Sequence, residues 1–392
     1  MKKMLRGSSS KCALALGSVA IISTVVLSSC SLPNAITEKS EKAQEAVVGN
    51  ATPAHGAVMH EPEGQVVSLK HLFDENAELI DMEQAGDILA LRSQDKLIVA
   101  KADAFLDAHP APDDTDLTTL EIDKSCGDLT ATKDTFVLAC PSGVALIDAQ
   151  KPQLDNVIPS EQPLNTAALS SDGTIAAGIK DTAEVVLLDA QQKKKIAQFP
   201  VSYPTDELIS VPIDTKNKDE KQKDKQKSDA FVRINRQYSI IQDLDWKNKK
   251  AGAMLRVGKG VGSIKPAEDG LLLASDNVGN QLALYFADDV IRLQKTIGVY
   301  DAPWAVAWDK NTNTAWVHAG AHNKAFSYDP SSGDLIQKQS FGTIADVRNM
   351  AVLSDGRLVF ASTADVALEF ISPQKKLVEG SHDNSSNTNT AL

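Results

Sequence analysis

The sequence predicts an all-β fold, a seven-bladed β-propeller, on three observations. Between Pro303 and Phe341, large apolar residues alternate with small or polar ones in four short runs separated by polar turns. That is the period-2 signature of strands with a buried face. Runs of the same kind recur from Leu79 to Gly380, giving seven units of about 43 residues, a normal blade period. Asp-Gly pairs stand between alternating runs at Asp172-Gly173 and Asp355-Gly356, a strong hairpin signal because glycine tolerates the positive φ of the turn. Six or eight blades stay open as alternatives if the first or fourth unit divides differently.

Ahead of the units, Lys2, Lys3, Arg6 and Lys11 precede an apolar run from Cys12 to Leu27. A basic region followed by an apolar one is the pattern of a secretory signal. The run is shorter than the roughly 20 residues of a membrane span. Leu27-Ser28-Ser29-Cys30 resembles the bacterial lipobox, with an ordinary signal peptide and an incidental cysteine as the alternative. The resemblance implies a signal peptide over residues 1–29, a diacylglyceryl group on Cys30, and a protein on the outer face of the cell membrane. Residues 30–65, poor in large apolar side chains, are read as a flexible tether. His55 and His60 within it are read as solvated, with transient metal capture as the alternative.

Removing residues 1–29 takes away four basic residues and no acidic one, moving the formal charge from −12 to −16. So acidic a body argues against nucleic acid, which rewards basic surfaces.

The propeller domain is expected over residues 66–380. Its first unit runs through Leu79–Met82, Asp87–Leu91, Lys96–Ala100 and Leu117–Ile122. The second holds two of the four cysteines, an even pair suited to an oxidising compartment. Cys126 opens its first strand and Cys140 closes its second, with Lys133-Asp134-Thr135 as the turn. In an antiparallel hairpin those ends lie side by side, which predicts a disulfide. A metal pair is the competing reading, weakened by the absence of a nearby histidine.

The third, fifth and seventh units carry the Asp-Gly device. The fourth is interrupted between Val211 and Phe231 by a charged insertion at residues 215–229, where Lys216, Lys218, Lys221, Lys223, Lys225 and Lys227 outnumber the acids. It reads as a solvated loop or, alternatively, as a basic finger for anionic headgroups or wall polymers. A fourth strand for the seventh unit is available at Lys376–Glu379, with Val66–Leu69 pairing beside it or replacing it, and that return to the C-terminal blade would close the ring. Residues 381–392 read as a disordered tail.

Ala315–Gly320 followed by Phe326-Ser327-Tyr328-Asp329-Pro330-Ser331-Ser332-Gly333 resembles the YVTN/WD40-like propeller repeat. Leu146-Ile147-Asp148-Ala149 and Leu187-Leu188-Asp189-Ala190 keep the strand-ending Asp of that pattern. The resemblance implies a β-propeller and no particular activity.

The sequence holds no nucleophile elbow, Walker loop, dinucleotide fingerprint or His-Glu-x-x-His. Trp304, Trp308 and Trp316 fall in one unit and are read as core. His318 ends a strand and His322 sits in the next turn, near the expected mouth of the ring. With Asp301 or Asp346 they form the one candidate set for a divalent cation, and otherwise no cofactor is expected. The reading this supports is a lipid-anchored envelope propeller that binds a protein, glycan or small ligand without catalysis. A zinc carrier serving a transporter and a propeller enzyme of lactonase or lyase type are the alternatives.

Overall fold

The structure, a computed structural model, describes residues 48–56, 61–107, 116–213, 229–331 and 336–372. The signal, Cys30, the six lysines of the insertion, Lys376–Glu379 and the tail lie outside the described residues. The described strands form seven four-stranded antiparallel sheets. Their innermost strands are Asp81–Ala85, Leu129–Ala131, Leu164–Leu169, Glu207–Val211, Val261–Pro266, Pro303–Asp309 and Val347–Val352. Each packs on the next, and the last packs back on the first, so the sheets close into a ring of blades.

Closure uses the N-terminal strand Gln65–Ser68 as the outermost strand of blade 7, beside Ala367–Ile371, Leu358–Ser362 and Val347–Val352. Gln65 stands opposite Phe370 and Ser68 opposite Ala367. Of the two expected sources for this strand, the structure uses the N-terminal one, so one sheet joins the two ends of the ring.

Seven apolar clusters fill the seven blade interfaces, which explains why the middle strands read as unbroken apolar runs. In blade 1, Leu89, Leu91 and Ile98 face blade 7, whereas Ala90, Leu97 and Val99 face blade 2. Alternate side chains thus enter opposite interfaces, and both faces of the sheet are dry. Phe136, Val137, Leu138 and Ala139 are all fully buried for this reason. A short helix, Ala102–Leu106, was not anticipated. It drops Phe105 into the interface between blades 7 and 1.

Two turn devices account for the recurring aspartates. In blades 2 and 3 the Asp at the end of the third strand caps the following turn. Asp148 Oδ1 accepts the N–H groups of Gln150 and Lys151 at 2.8 and 2.9 Å, and Asp189 Oδ1 those of Gln191 and Gln192 at 2.9 and 2.8 Å. Asp329 Oδ1 likewise accepts Ser331 N–H at 2.9 Å in blade 6. These are side-chain mimics of a backbone turn.

The Asp-Gly hairpins use glycine at positive φ, +86° at Gly173 and +85° at Gly356. Their serines staple neighbouring blades: Ser354 N–H and Oγ donate to Asp87 at 2.8 and 2.6 Å, and Ser171 donates in the same way to Asp229 at 2.7 and 3.1 Å. The Ser354 hydroxyl beside Asp87 holds that carboxyl below its ordinary pKa.

Residues 48–56, expected as part of the tether, lie against the ring instead. Gly49 N–H donates to Lys259 O at 2.6 Å and Asn50 N–H to Arg236 O at 2.8 Å. Farther along, Asn323 Nδ2 donates to Gly56 O at 3.2 Å. The approach is close at both glycines: a Cβ would stand 1.8 Å from Gln237 O at Gly49 and 2.3 Å from Gly320 O at Gly56. No side chain larger than hydrogen fits there without moving backbone.

Candidate ligand-binding channel

The inner strands enclose a channel of about 500 Å³. Its wall is charged, which is unusual for the centre of a small domain. Asp81 and Glu83 project from blade 1, Asp128 from just before the inner strand of blade 2, Glu207 from blade 4 and Lys265 from blade 5. Arg236 reaches in from the loop after the second strand of blade 4, and Arg348 from blade 7. Pro53 lines the same space, so the docked N-terminal segment reaches over one opening.

Each acid has a structural partner. Glu83 pairs with Lys265, whose side chains are only 14% and 21% exposed. Glu207 accepts Arg236 Nη2 at 2.5 Å and Ile264 N–H at 3.2 Å. Asp81 accepts Leu129 N–H from the next blade at 3.2 Å, and Asp128 accepts the Thr166 hydroxyl at 3.1 Å. The acids therefore also tie adjacent inner strands together.

Their mutual proximity shows in their acidities. Burial, opposed by Lys265 and reinforced by the Asp81 charge, raises Glu83 to about 7. Burial and then Asp81 push Asp128 well up. Glu207 is raised by burial, although Arg236 opposes the shift. Burial works against the Lys265 ammonium, but Glu83, Asp81 and Glu207 outweigh it and hold the amine protonated above its ordinary range. The channel thus keeps fixed cations, while burial and mutual repulsion make Glu83, Asp128 and Glu207 weaker acids than usual.

Trp304, Trp308 and Trp316 were expected in the core; Trp316 is buried there, at 1% exposed, and Trp308 packs against the cluster between blades 5 and 6. Trp304 and Trp308 are half-buried and line the channel. The guanidinium of Arg236 stands 5.6 Å from the centre of the Trp304 ring, within cation–π range. The wall therefore offers aromatic surface beside charge.

The histidine set expected to hold a cation is not assembled. His318 is a fully buried member of the strand Thr314–Ala319 rather than a residue of the mouth. Its Nε2 lies 2.9 Å from the Thr343 hydroxyl, which itself donates to Ile344 O. This fixes the proton on Nε2 and leaves Nδ1 buried without a partner. His322 faces Asp301 at 3.6 Å, whereas Asp346 faces His55 at 3.2 Å and Arg348 at 3.4 Å. Among the described residues no three His, Cys, Asp or Glu side chains are grouped to hold a metal ion.

Burial lowers the pKa of His318 to about 3, which has a measurable consequence. Below about pH 6.5 the unfolded chain takes up a proton that the folded imidazole refuses. Stability contributed above that pH is therefore lost as pH falls toward 3. Thermal melts between pH 7 and 4 should show a steeper loss for the native chain than for His318→Gln, which keeps a donor to Thr343 but does not titrate. Equal slopes would mean that the imidazole is charged in the fold.

Sequence reasoning missed the channel charges because no two of them share a recognisable motif. Asp81 and Glu83 are two residues apart on one strand, but Asp128, Glu207 and Lys265 come from three other blades. The available signal was positional: acids and a lysine in first strands whose neighbours in the other strands are apolar. It becomes visible only when the seven units are stacked in register.

Seven blades stapled by an N-terminal strand around a charged channel define a seven-bladed β-propeller. A chain of the crystal structure of a mitotic checkpoint complex is similar in fold, with a TM-score of 0.59 over 89% of this chain and 98% of that one, at 13% identity. At that identity the likeness speaks for architecture alone. No protein-family model matches the sequence, and no curated protein matches it.

Proposed function

We propose that this chain is an extracytoplasmic binding lipoprotein, anchored through Cys30, that holds a small polar ligand in its channel without transforming it. The observation that carries the reading is the channel itself. A space of about 500 Å³ with convergent charged groups and two tryptophans is of ordinary ligand-site size and character. The basic start, apolar run and Leu27-Ser28-Ser29-Cys30 support the anchor.

The test uses protein equilibrated with a small-molecule extract of bacterial cells, freed of unbound solutes by gel filtration, then denatured and analysed by mass spectrometry. Wild type should retain compounds that the paired variant Glu83→Gln/Lys265→Met does not. Replacing both partners avoids stranding one buried charge, so the variant should fold. Identical retention by the two proteins would remove the channel as the site. In parallel, Cys30→Ala should move the protein from the membrane fraction to the soluble one, and its continued sedimentation with membranes would refute the anchor.

A further inference from the structure

One cation of the channel has no partner. Arg92, on the second strand of blade 1, is 7% exposed and lines the channel. Its Nε is buried without a hydrogen-bond partner, and its guanidinium makes no ion pair with any described residue. Asp81 is its cross-strand neighbour, so both side chains leave the sheet on one face, yet Asp81 is engaged by Leu129 N–H at 3.2 Å. A buried, unpaired guanidinium is costly, and its planar fork matches a carboxylate on two bonds. Asp81 stands across the strand pair from it, and Glu83 and Asp128 line the same channel; these carboxyls repel an anion of several charges but favour an ammonium group.

We propose that the channel binds a small zwitterion of the amino-acid class, its carboxylate on Arg92 and its ammonium among Asp81, Glu83 and Asp128. This rests on the channel being a binding site and names what the site takes. An anion with one negative charge, joined within the same molecule to a cation, is the ligand class that meets both groups at once. The channel volume admits a free amino acid or a very short peptide, and the tryptophans offer a surface for an apolar side chain.

Binding has a proton signature. The charged groups lining the channel around Glu83 are Asp81 and Arg92 from blade 1, Asp128 from blade 2, Glu207 and Arg236 from blade 4, Lys265 from blade 5 and Arg348 from blade 7. Burial raises Glu83 itself to about 7. An arriving ammonium favours its ionised form, so it sheds a proton on binding and affinity rises from pH 6 to pH 8.

Calorimetry on the purified full chain would use L-alanine, L-lysine and L-alanyl-L-alanine as dipolar probes. Glutarate and 1,4-diaminobutane serve as single-sign probes. At least one dipolar probe should bind at least tenfold more tightly than either single-sign probe. Alanine against alanyl-alanine separates the free amino acid from the peptide. Titration in buffers of different ionisation enthalpy should show net proton release at pH 7. Arg92→Met should weaken the dipolar probe at least tenfold while leaving 1,4-diaminobutane unchanged, and should melt no lower than wild type because it removes an unpaired charge. Arg92→Lys, which keeps the charge without the fork, should fall between.

Equal binding of glutarate or diaminobutane, an unaffected Arg92→Met, proton uptake, or silence across the panel would each overturn the ligand class. Silence here together with charge-dependent retention from the cell extract would leave the channel a binding site for another class. Loss of that retention as well would remove both readings.

Discussion

A chain that begins at Leu69, without the closing strand, is expected to melt about 10 °C or more below the intact protein and to self-associate. Gln65–Ser68 supplies the outer edge of blade 7 along four opposed residue pairs. Its loss frees the outer edge of Ala367–Ile371, a strand that is buried in the native ring and stays paired with Leu358–Ser362 on its other side. Glu369, fully buried, loses the Gly64 N–H it accepts at 2.6 Å on the oxygen opposite the one that accepts Ile344 N–H at 2.8 Å. Several lost ladder bonds at about 1 kcal/mol each, with apolar side chains uncovered at roughly 25 cal/mol per Å², give on the order of 5 kcal/mol. For a domain of this size each kcal/mol moves Tm by about 2–4 °C.

The freed edge is also a template for another chain, so oligomers should appear in light scattering. A synthetic peptide of residues 61–70, added in excess, should restore part of the Tm by occupying the edge. A truncated chain that stays monomeric and melts within 2 °C of the intact one would mean that the inner-strand contacts alone hold the ring.

The contrast between fold and site comes from how each is encoded. Blades were legible because every strand obeys a local rule: alternation that serves two interfaces, Asp-Gly at hairpins, and an Asp that caps the turn after the third strand. Asp148, Asp189 and Asp329 could be read as a repeat because their bonding partners are two or three residues away. The closing strand was legible as one of two candidates, since its partner in sequence is some 300 residues distant and only topology favours it. Glu207 and Glu83 carry no local signature, and their meaning depends on which residues other blades bring opposite them.

His318 shows the reverse failure. A histidine beside a turn with a second histidine four residues on looked like a ligand pair, but strand alternation turns it into the interface between blades 6 and 7. Trp304, assigned to the core because it shares a blade with Trp308 and Trp316, is half-buried on the channel wall. In a propeller, an inner strand has a third environment besides core and solvent, and that is where functional side chains gather.

The second large effect is expected from Cys126 and Cys140, which are joined in a disulfide. Removing the bridge, as Cys126→Ala/Cys140→Ala or by reduction, should cost about 3 kcal/mol for a loop of this length in the chain-entropy model, or about 6–12 °C. The location gives the bridge more to do than shorten the unfolded chain. The inner strand of blade 2 is only Leu129–Ala131 and pairs with its neighbour over three positions, against five in blades 3 and 4.

Beyond those three, the hairpin is continued by Gly127 N–H to Ala139 O at 2.7 Å and Ala139 N–H to Asp128 O at 3.2 Å, directly beside the disulfide. Asp128 belongs to this stretch and carries one of the channel carboxyls. Loss of the bridge should therefore lower Tm and also loosen the Asp128 end of the charge cluster, although its N–H remains bonded to Asn165 O at 2.7 Å. Melts at a fixed scan rate with and without reductant should separate by the stated amount in wild type and not at all in the double alanine variant. Hydrogen exchange should rise at Gly127–Thr130 and stay unchanged in blade 4. If reductant leaves the wild-type Tm in place, the short inner strand is held by its neighbours in blades 1 and 3, and the bridge adds nothing that packing does not already supply.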